Sequence, residues 1–217
     1  MENLNFRMIH ESIKHIQVDG HIWSLAVDGA NRHVFLDVRR DGNDSIQLIR
    51  LRMDDLKLEA KEVENPWWSK LIGVQDGKVQ FVEYPDQNDP TRQKYFTLDW
   101  ESLAKTYVEG VETGESLTHP FTYEHSSEYH QTVAEFLSLE LPLSCEYLEW
   151  GDKIIISYYL RSGNGFDRYL LLLKDGAKQW KVTQDAGMKG FSPGAFFVFE
   201  DQLIFIKDRN EVCMYTD

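Results

Sequence analysis

Cysteine is nearly missing from this chain: Cys145 and Cys213 are the only two in 217 residues. A disulfide framework of the kind that staples small secreted domains has no material here, and neither thiol has a second cysteine at zinc-motif or redox-motif spacing. Both are expected to be buried and reduced, the usual state of a lone thiol between strand-like segments. Positive charge is short as well. Against 36 Asp plus Glu stand 23 Lys plus Arg, a formal net charge of −13. Such a surface repels phosphate backbones and anionic lipid, so neither nucleic acid nor a membrane is an expected partner. Long apolar runs are missing too. The most apolar windows, residues 154–160 and 169–173, fall far short of the ~20 residues that cross a bilayer as a helix. The first residues lack the apolar stretch of a secretory signal, and the reading is an intracellular, cytoplasmic protein. No Gly-x-Ser-x-Gly elbow and no phosphate-binding Gly-rich loop followed by Lys and Ser or Thr occurs. Gly163-Asn164-Gly165 and the glycines from Gly187 to Gly194 read as flexible loops.

What the chain does have is aromatic and β-branched material. With 12 Phe, 10 Tyr and 6 Trp, and 42% hydrophobic against 27% charged residues, it can stock a buried core in one domain spanning residues 1–217. Polar turns at Asp28-Gly29, Asp76-Gly77, Gly151-Asp152 and Glu200-Asp201 each separate two runs rich in Val, Ile, Phe and Tyr. That is the signature of strands joined by tight hairpins. The likeness extends past each hairpin: a second polar loop leads to a third strand at residues 46–53, 94–98, 168–173 and 212–215, and a fourth follows at 56–63 and 179–183. The repeating unit is a four-stranded antiparallel meander.

The first and last intervals between these turns are nearly equal, and the middle one is half again as long. It has room for a degenerate fifth unit, with candidate strands at residues 107–113 and 117–123 around Gly114. Residues 126–141 read differently. Tyr129, Val133, Phe136 and Leu137 fall at i, i+4, i+7 and i+8, with Ser126 or Ser127 to cap the start and Pro142 to stop it. The pattern predicts one short helix near residues 127–139. The last unit runs out of chain after its third strand, and the extended stretch at residues 7–18 is expected to supply the missing outer strand. Five units give about 43 residues each, within the ~40–45 residues of a propeller blade. The expected fold is all-β, a five-bladed β-propeller of meander repeats. A four-bladed or irregular ring and a two-sheet sandwich are the alternatives.

Laid out this way, the chain resembles the β-propellers in repeat architecture over most of its length. It lacks the Gly-His and Trp-Asp signature of WD40 repeats. The segment Ile22-Trp23-Ser24-Leu25, the segment Val38-Arg39-Arg40-Asp41 and the helical stretch from Tyr129 to Leu137 also resemble a Bacteroidetes domain-of-unknown-function family. That resemblance implies no functional residues.

Candidate chemistry is sparse. His119, His125 and His130 lie close in sequence, with Glu124 and Glu128 between them, and imidazole with carboxylate suits zinc or a non-haem metal. Their spacing is poor for it, since His125 and His130 would stand about 140° apart on a helix. Solvated or core-edge histidines are the competing role. Asp37, Glu83, Glu149 and Glu200 lie in or beside the repeated hairpins and could converge as paired carboxylates, or could be salt-bridged singly. The loops Asp41-Gly42-Asn43-Asp44 and Asp86-Gln87-Asn88-Asp89 carry calcium-type oxygen donors without the twelve-residue ligand order. Trp67-Trp68, after Pro66, and Phe191-Ser192-Pro193 place aromatics at loops, where they serve either recognition or packing between repeats. No cofactor is expected. The preferred function is a non-catalytic binding module for a protein or small polar ligand. The alternative is a hydrolase acting on a sugar or ester at the central channel of the ring.

Overall fold

The computed structural model describes residues 12–40, 45–64, 68–86, 89, 91–111 and 117–216. Their regular structure is nearly all β. Among the described residues seventeen strands and one α-helix form, the strands lying in three sheets of four and one of five. The chain divides into two compact units, one of residues 1–16 with 117–217, the other of residues 17–116.

The second unit holds β2 (His21–Asp28), β3 (His33–Arg39), β4 (Ile46–Arg52) and β5 (Leu58–Val63), then β6 (Ser69–Gln75), β7 (Lys78–Glu83), β8 (Lys94–Asp99) and β9 (Lys105–Val108). Each four is an antiparallel meander. The turn between β6 and β7 shows why the sequence punctuates there. Asp76 and Gly77 both have positive φ, at 50° and 72°, the backbone of a two-residue type I′ hairpin whose twist matches the strands. Asp175-Gly176 repeats it at 51° and 74°. Inward residues of the two sheets make one core of Phe35, Leu48, Leu71, Phe81, Phe96 and neighbours. Phe81 and Phe96 stack at 5.1 Å.

The first unit contains β1 (Ile13–Gln17), β10 (Phe121–Tyr123), α1 (Glu128–Leu137), β11 (Cys145–Trp150), β12 (Lys153–Ser162), β13 (Gly165–Lys174), β14 (Ala177–Met188), β15 (Phe196–Phe199), β16 (Gln202–Lys207) and β17 (Glu211–Thr216). Strand alternation gives the five-stranded sheet two apolar faces. Ile155, Leu170 and Leu172 pack with Phe196, Phe205 and Cys213 of the four-stranded sheet. Ile156, Leu171 and Leu173 on the other face meet Val133 of α1 and Leu141. The Ser127 side chain accepts the His130 N–H and caps α1, which ends at Ser138 in a left-handed conformation, before Pro142.

The N-terminal stretch lies where the strand count requires it: β1 is hydrogen-bonded beside β17, at the edge of the last sheet. Its residues 7–11 are outside the described residues. The middle interval differs from expectation. Residues 105–108 form the fourth strand of the sheet before it and residues 121–123 the fifth strand of the sheet after it, so the described residues build four sheets and no separate fifth one. The cause is length, since β9 and β10 have four and three residues and leave Tyr107 and Phe121 exposed; neither can bury a face without the longer strand beside it. Thr118 does not start a hairpin. It exchanges two backbone hydrogen bonds of 2.9 Å with Val198 at the edge of β15. Of the glycine segments, Gly163 turns the β12–β13 hairpin and Gly190 and Gly194 lie between β14 and β15, as expected of loops, whereas Gly187 lies within β14.

Phe81 is fully buried at the centre of its core, so Phe81→Ala is expected to lower unfolding free energy by about 3–5 kcal/mol in urea titration, whereas Leu58→Ala at the exposed end of β5 changes it by about 0.5 kcal/mol or less. Burial also holds protons on. The Cys145 thiol is pushed up to about 11 and the Tyr158 hydroxyl to about 12 by burial, and burial with the adjoining Glu149 carboxylate takes Tyr147 to about 12. An unfolded chain releases these protons earlier, so it binds fewer of them than the folded chain and stability falls as pH rises past about 9. Lys181, lowered by burial, contributes with the opposite sign. The buried cysteine and tyrosine groups held above their usual range, Cys213, Tyr123 and Tyr159 among them, outnumber the lowered Lys181 and predict a net fall in the thermal midpoint between about pH 9 and about pH 11.

Candidate functional site

In the 17–116 unit the first strand of each sheet carries an irregularity at the same place. The β2–β3 register skips Trp23 between Ile22 and Ser24, and the β6–β7 register skips Ile72 between Leu71 and Gly73. A bulge inserts one unpaired residue and re-aims its side chain. Opposite the residue after each bulge stands a buried polar group: Asp37 faces Ser24 and Gln80 faces Gly73. A Cβ at Gly73 would come within 2.7 Å of Gln80 Oε1, so the end of the Gln80 side chain would have to shift to admit one.

Asp37 and Arg39 are both fully buried, and their pairing fixes this corner. Arg39 donates through Nη2 to Asp37 Oδ2 at 2.9 Å and through Nε to Asp37 Oδ1 at 3.2 Å, and Nη2 also donates to the Ser69 carbonyl at 2.5 Å. Ser24 Oγ donates to Asp37 at 3.4 Å and accepts the Leu71 N–H at 3.1 Å. Burial pushes the Asp37 carboxyl above the usual range, opposed by the bonds from Arg39 and Ser24. The guanidinium therefore ties the two sheets of the unit together, and over it lies the indole of Trp23, with Arg39 Cζ 4.6 Å from the ring centroid. Trp23 remains 54% exposed and Trp68, next to the anchored Ser69, 47% exposed. Two large aromatics thus face solvent, Trp23 from the β2 bulge and Trp68 from the turn before β6, on either side of a buried ion pair; exposed indoles suit stacking or apolar recognition. The sequence pointed to Trp68. Trp67 lies outside the described residues. Trp23 was missed as a surface residue because a bulge breaks the alternation that would betray it.

Two of the three histidines meet and the third lies elsewhere. His130 is buried on α1 with Nε2 2.9 Å from the Leu143 carbonyl, its ring edge-on to His125 at 5.0 Å. His119 instead lies 6.2 Å from the Phe197 ring. The gathered set of metal-ligand types among the described residues is a different one, His15, Glu211 and Cys213. Burial pushes the Cys213 thiol up to about 12. No sequence signal joins it to His15, because nearly the whole chain separates them.

Three of the four hairpin carboxylates are paired within their own sheets: Asp37 with Arg39, Glu83 with Lys105 and the Tyr107 hydroxyl, Glu149 with the Tyr147 hydroxyl; Glu200 lies exposed at the turn between β15 and β16. Of the two calcium-type loops, residues 41–44, 87 and 88 lie outside the described residues. A further buried network in the other unit anchors residues 191–195, which reverses the expectation of a flexible loop. Glu146 accepts the N–H groups of Gly194 at 2.6 Å and Ala195 at 3.0 Å, Arg168 pairs with Asp185 and donates to the Ser192 carbonyl, and Tyr159 exchanges two hydrogen bonds with Ser192. Phe191 packs on Tyr159. Tyr158 and Tyr159 do point to opposite faces, and both are buried.

No family model matches this chain, and no curated protein matches it. Among solved structures it is similar to an acylaminoacyl peptidase from Pyrococcus horikoshii, at 11% identity and a TM-score of 0.26. The match covers 88% of this chain and 36% of the peptidase, so the chain spans about a third of that protein's length. A score this low establishes neither a shared fold nor a shared activity.

Removing Arg39 would leave the Asp37 carboxylate buried without its cation. Arg39→Ala is expected to cost about 3–5 kcal/mol of stability, and the apolar double replacement Asp37→Leu with Arg39→Met to recover most of it. Urea denaturation of the three proteins measures this; equal loss in single and double variants would show that packing, not the stranded charge, sets the cost.

Proposed function

We propose that this chain is a non-catalytic, propeller-like binding module that recognises a protein or small polar ligand through a surface containing Trp23 and Trp68. The observation carrying this reading is the bulge at Trp23. It costs the sheet a ladder position and leaves a 54% exposed indole over Arg39, whose own position is fixed by Asp37 and the Ser69 carbonyl. Exposed tryptophan on a pre-ordered scaffold loses little side-chain entropy on binding, and this is how interface hot spots gain their energy.

The ring-like part of the reading rests on repetition and on the edge. Sheets of four and five strands, mostly joined in chain order, with the N-terminal strand beside the C-terminal one, are how propellers leave only short protected edges. Four sheets favour four blades over five. Asp37, Gln80 and Glu146, each buried and polar, would then stiffen the scaffold rather than perform chemistry.

Affinity capture from a native lysate, with the wild type beside Trp23→Ala, Trp68→Ala and the double variant, tests the reading. Each substitution is expected to weaken retention of the captured partner by about thirtyfold, the loss of ~2 kcal/mol typical of a hot-spot tryptophan. A partner retained equally by wild type and double variant would overturn the assignment of this surface.

A further inference from the structure

On β17 the side chains of Glu211, Cys213 and Tyr215 share a face, as alternation requires, and on the adjoining β1 those of Ile13 and His15 do the same. Ile13, Cys213 and Tyr215 belong to one core cluster. His15 and Glu211 stand at its rim, with side chains 34% and 18% exposed. His15 Nδ1 lies 2.9 Å from Glu211 Oε1 and 3.5 Å from Cys213 Sγ, and the three ligand atoms all fall within 4.8 Å of one another. One ring nitrogen therefore faces both a carboxylate oxygen and a sulfur. A single proton on Nδ1 serves the carboxylate and leaves the sulfur only a shared contact; a bare Nδ1 would set its lone pair against the carboxylate. A cation among the three atoms satisfies all of them at once.

From these contacts we propose that His15 Nδ1, Glu211 Oε1 and Cys213 Sγ bind a divalent transition-metal ion of the zinc class, with a fourth position open to solvent. Imidazole, carboxylate and thiolate are zinc ligands, with bonds of ~2.0–2.1, ~2.0–2.2 and ~2.3 Å. Tetrahedral geometry at those lengths sets the ligand atoms about 3.3–3.7 Å apart. The two measured separations sit close to that range, and the third needs to close by roughly 1 Å at most. The donor set also excludes calcium and magnesium, which take oxygen ligands. Lys207 is no obstacle: its Nζ holds the other oxygen, Glu211 Oε2, at 3.1 Å and is itself met by Asp208 at 2.6 Å. The site joins β1 to β17, so the ion acts as a clasp on the strand pair that completes the last sheet. When it binds, the Cys213 proton leaves to solvent and the sulfur coordinates as thiolate.

Cobalt(II) is the probe, titrated into metal-free full-length protein, because thiolate ligation gives a sulfur-to-cobalt charge-transfer band in the near ultraviolet. One equivalent is expected to produce the band, zinc to displace it, and His15→Ala and Glu211→Gln, both at the rim, to weaken cobalt binding at least tenfold with circular dichroism unchanged. Cys213→Ser abolishes the band. Zinc raises the thermal midpoint of the wild type and leaves that of His15→Ala where it was. Absence of the band at stoichiometric cobalt overturns the proposal, as does a band that survives in Cys213→Ser or in His15→Ala at full strength.

Discussion

Backbone hydrogen bonding at strand edges is the constraint on which the rest of this molecule depends. A small sheet ends in two strands whose outward N–H and C=O groups need partners or cover, and an uncovered edge invites pairing with another chain. The last sheet meets the requirement with chain from elsewhere in the sequence. On one side, β1 lies beside β17, bringing Ile13 into the core with Phe205 and Tyr215. On the other, Thr118 pairs with Val198 of β15. The five-stranded sheet gains β10 along β11 in the same way. Each of these additions is short, and β1 and Thr118 lie far in sequence from the strands they serve, while β10 is set off from β11 by the helix.

Buried polar side chains do at the loops what strands do at the edges. Glu146 takes two backbone N–H groups of residues 194 and 195, Gln184 Nε2 donates to the carbonyls of Ala195 and Ile206, and Arg39 donates to that of Ser69. Burying Asp37, Arg39 or Glu146 costs solvation that only well-placed partners offset, so these groups hold their loops in one arrangement. Burial shows its hold on the carboxylates, raising Glu146 and Asp37 alike against the bonds that lower them. The rigid corner at Arg39 is what lets Trp23 and Trp68 face solvent from fixed positions.

The hairpins were legible because pairs such as Asp76-Gly77, with positive φ at both residues, favour tight turns and because runs such as residues 34–38 and 154–160 have no helical period. The helix was legible from Val133 and its neighbours, together with Ser127. The N-terminal strand was legible by counting, since a meander that ends one strand short must find it somewhere. The middle interval misled because length suggested a unit where its apolar content could not support one. Sites were far less legible. Proximity in sequence drew attention to His119, His125 and His130, of which the fold brings His125 and His130 together and sends His119 to Phe197, while His15 and Cys213 meet only through strand pairing across the whole chain. Trp23 was hidden by a bulge, which sequence alternation cannot register.

Native-state hydrogen exchange, read residue by residue on the full-length protein, tests the edge pairing most directly. If β1 completes the last sheet, the amides of Ile13–Gln17 that bond to β17 exchange as slowly as those of β16 and β17 and open with them as one cooperative unit. Exchange of residues 13–17 at the rate of an unstructured chain, while β16 and β17 stay protected, would contradict the account.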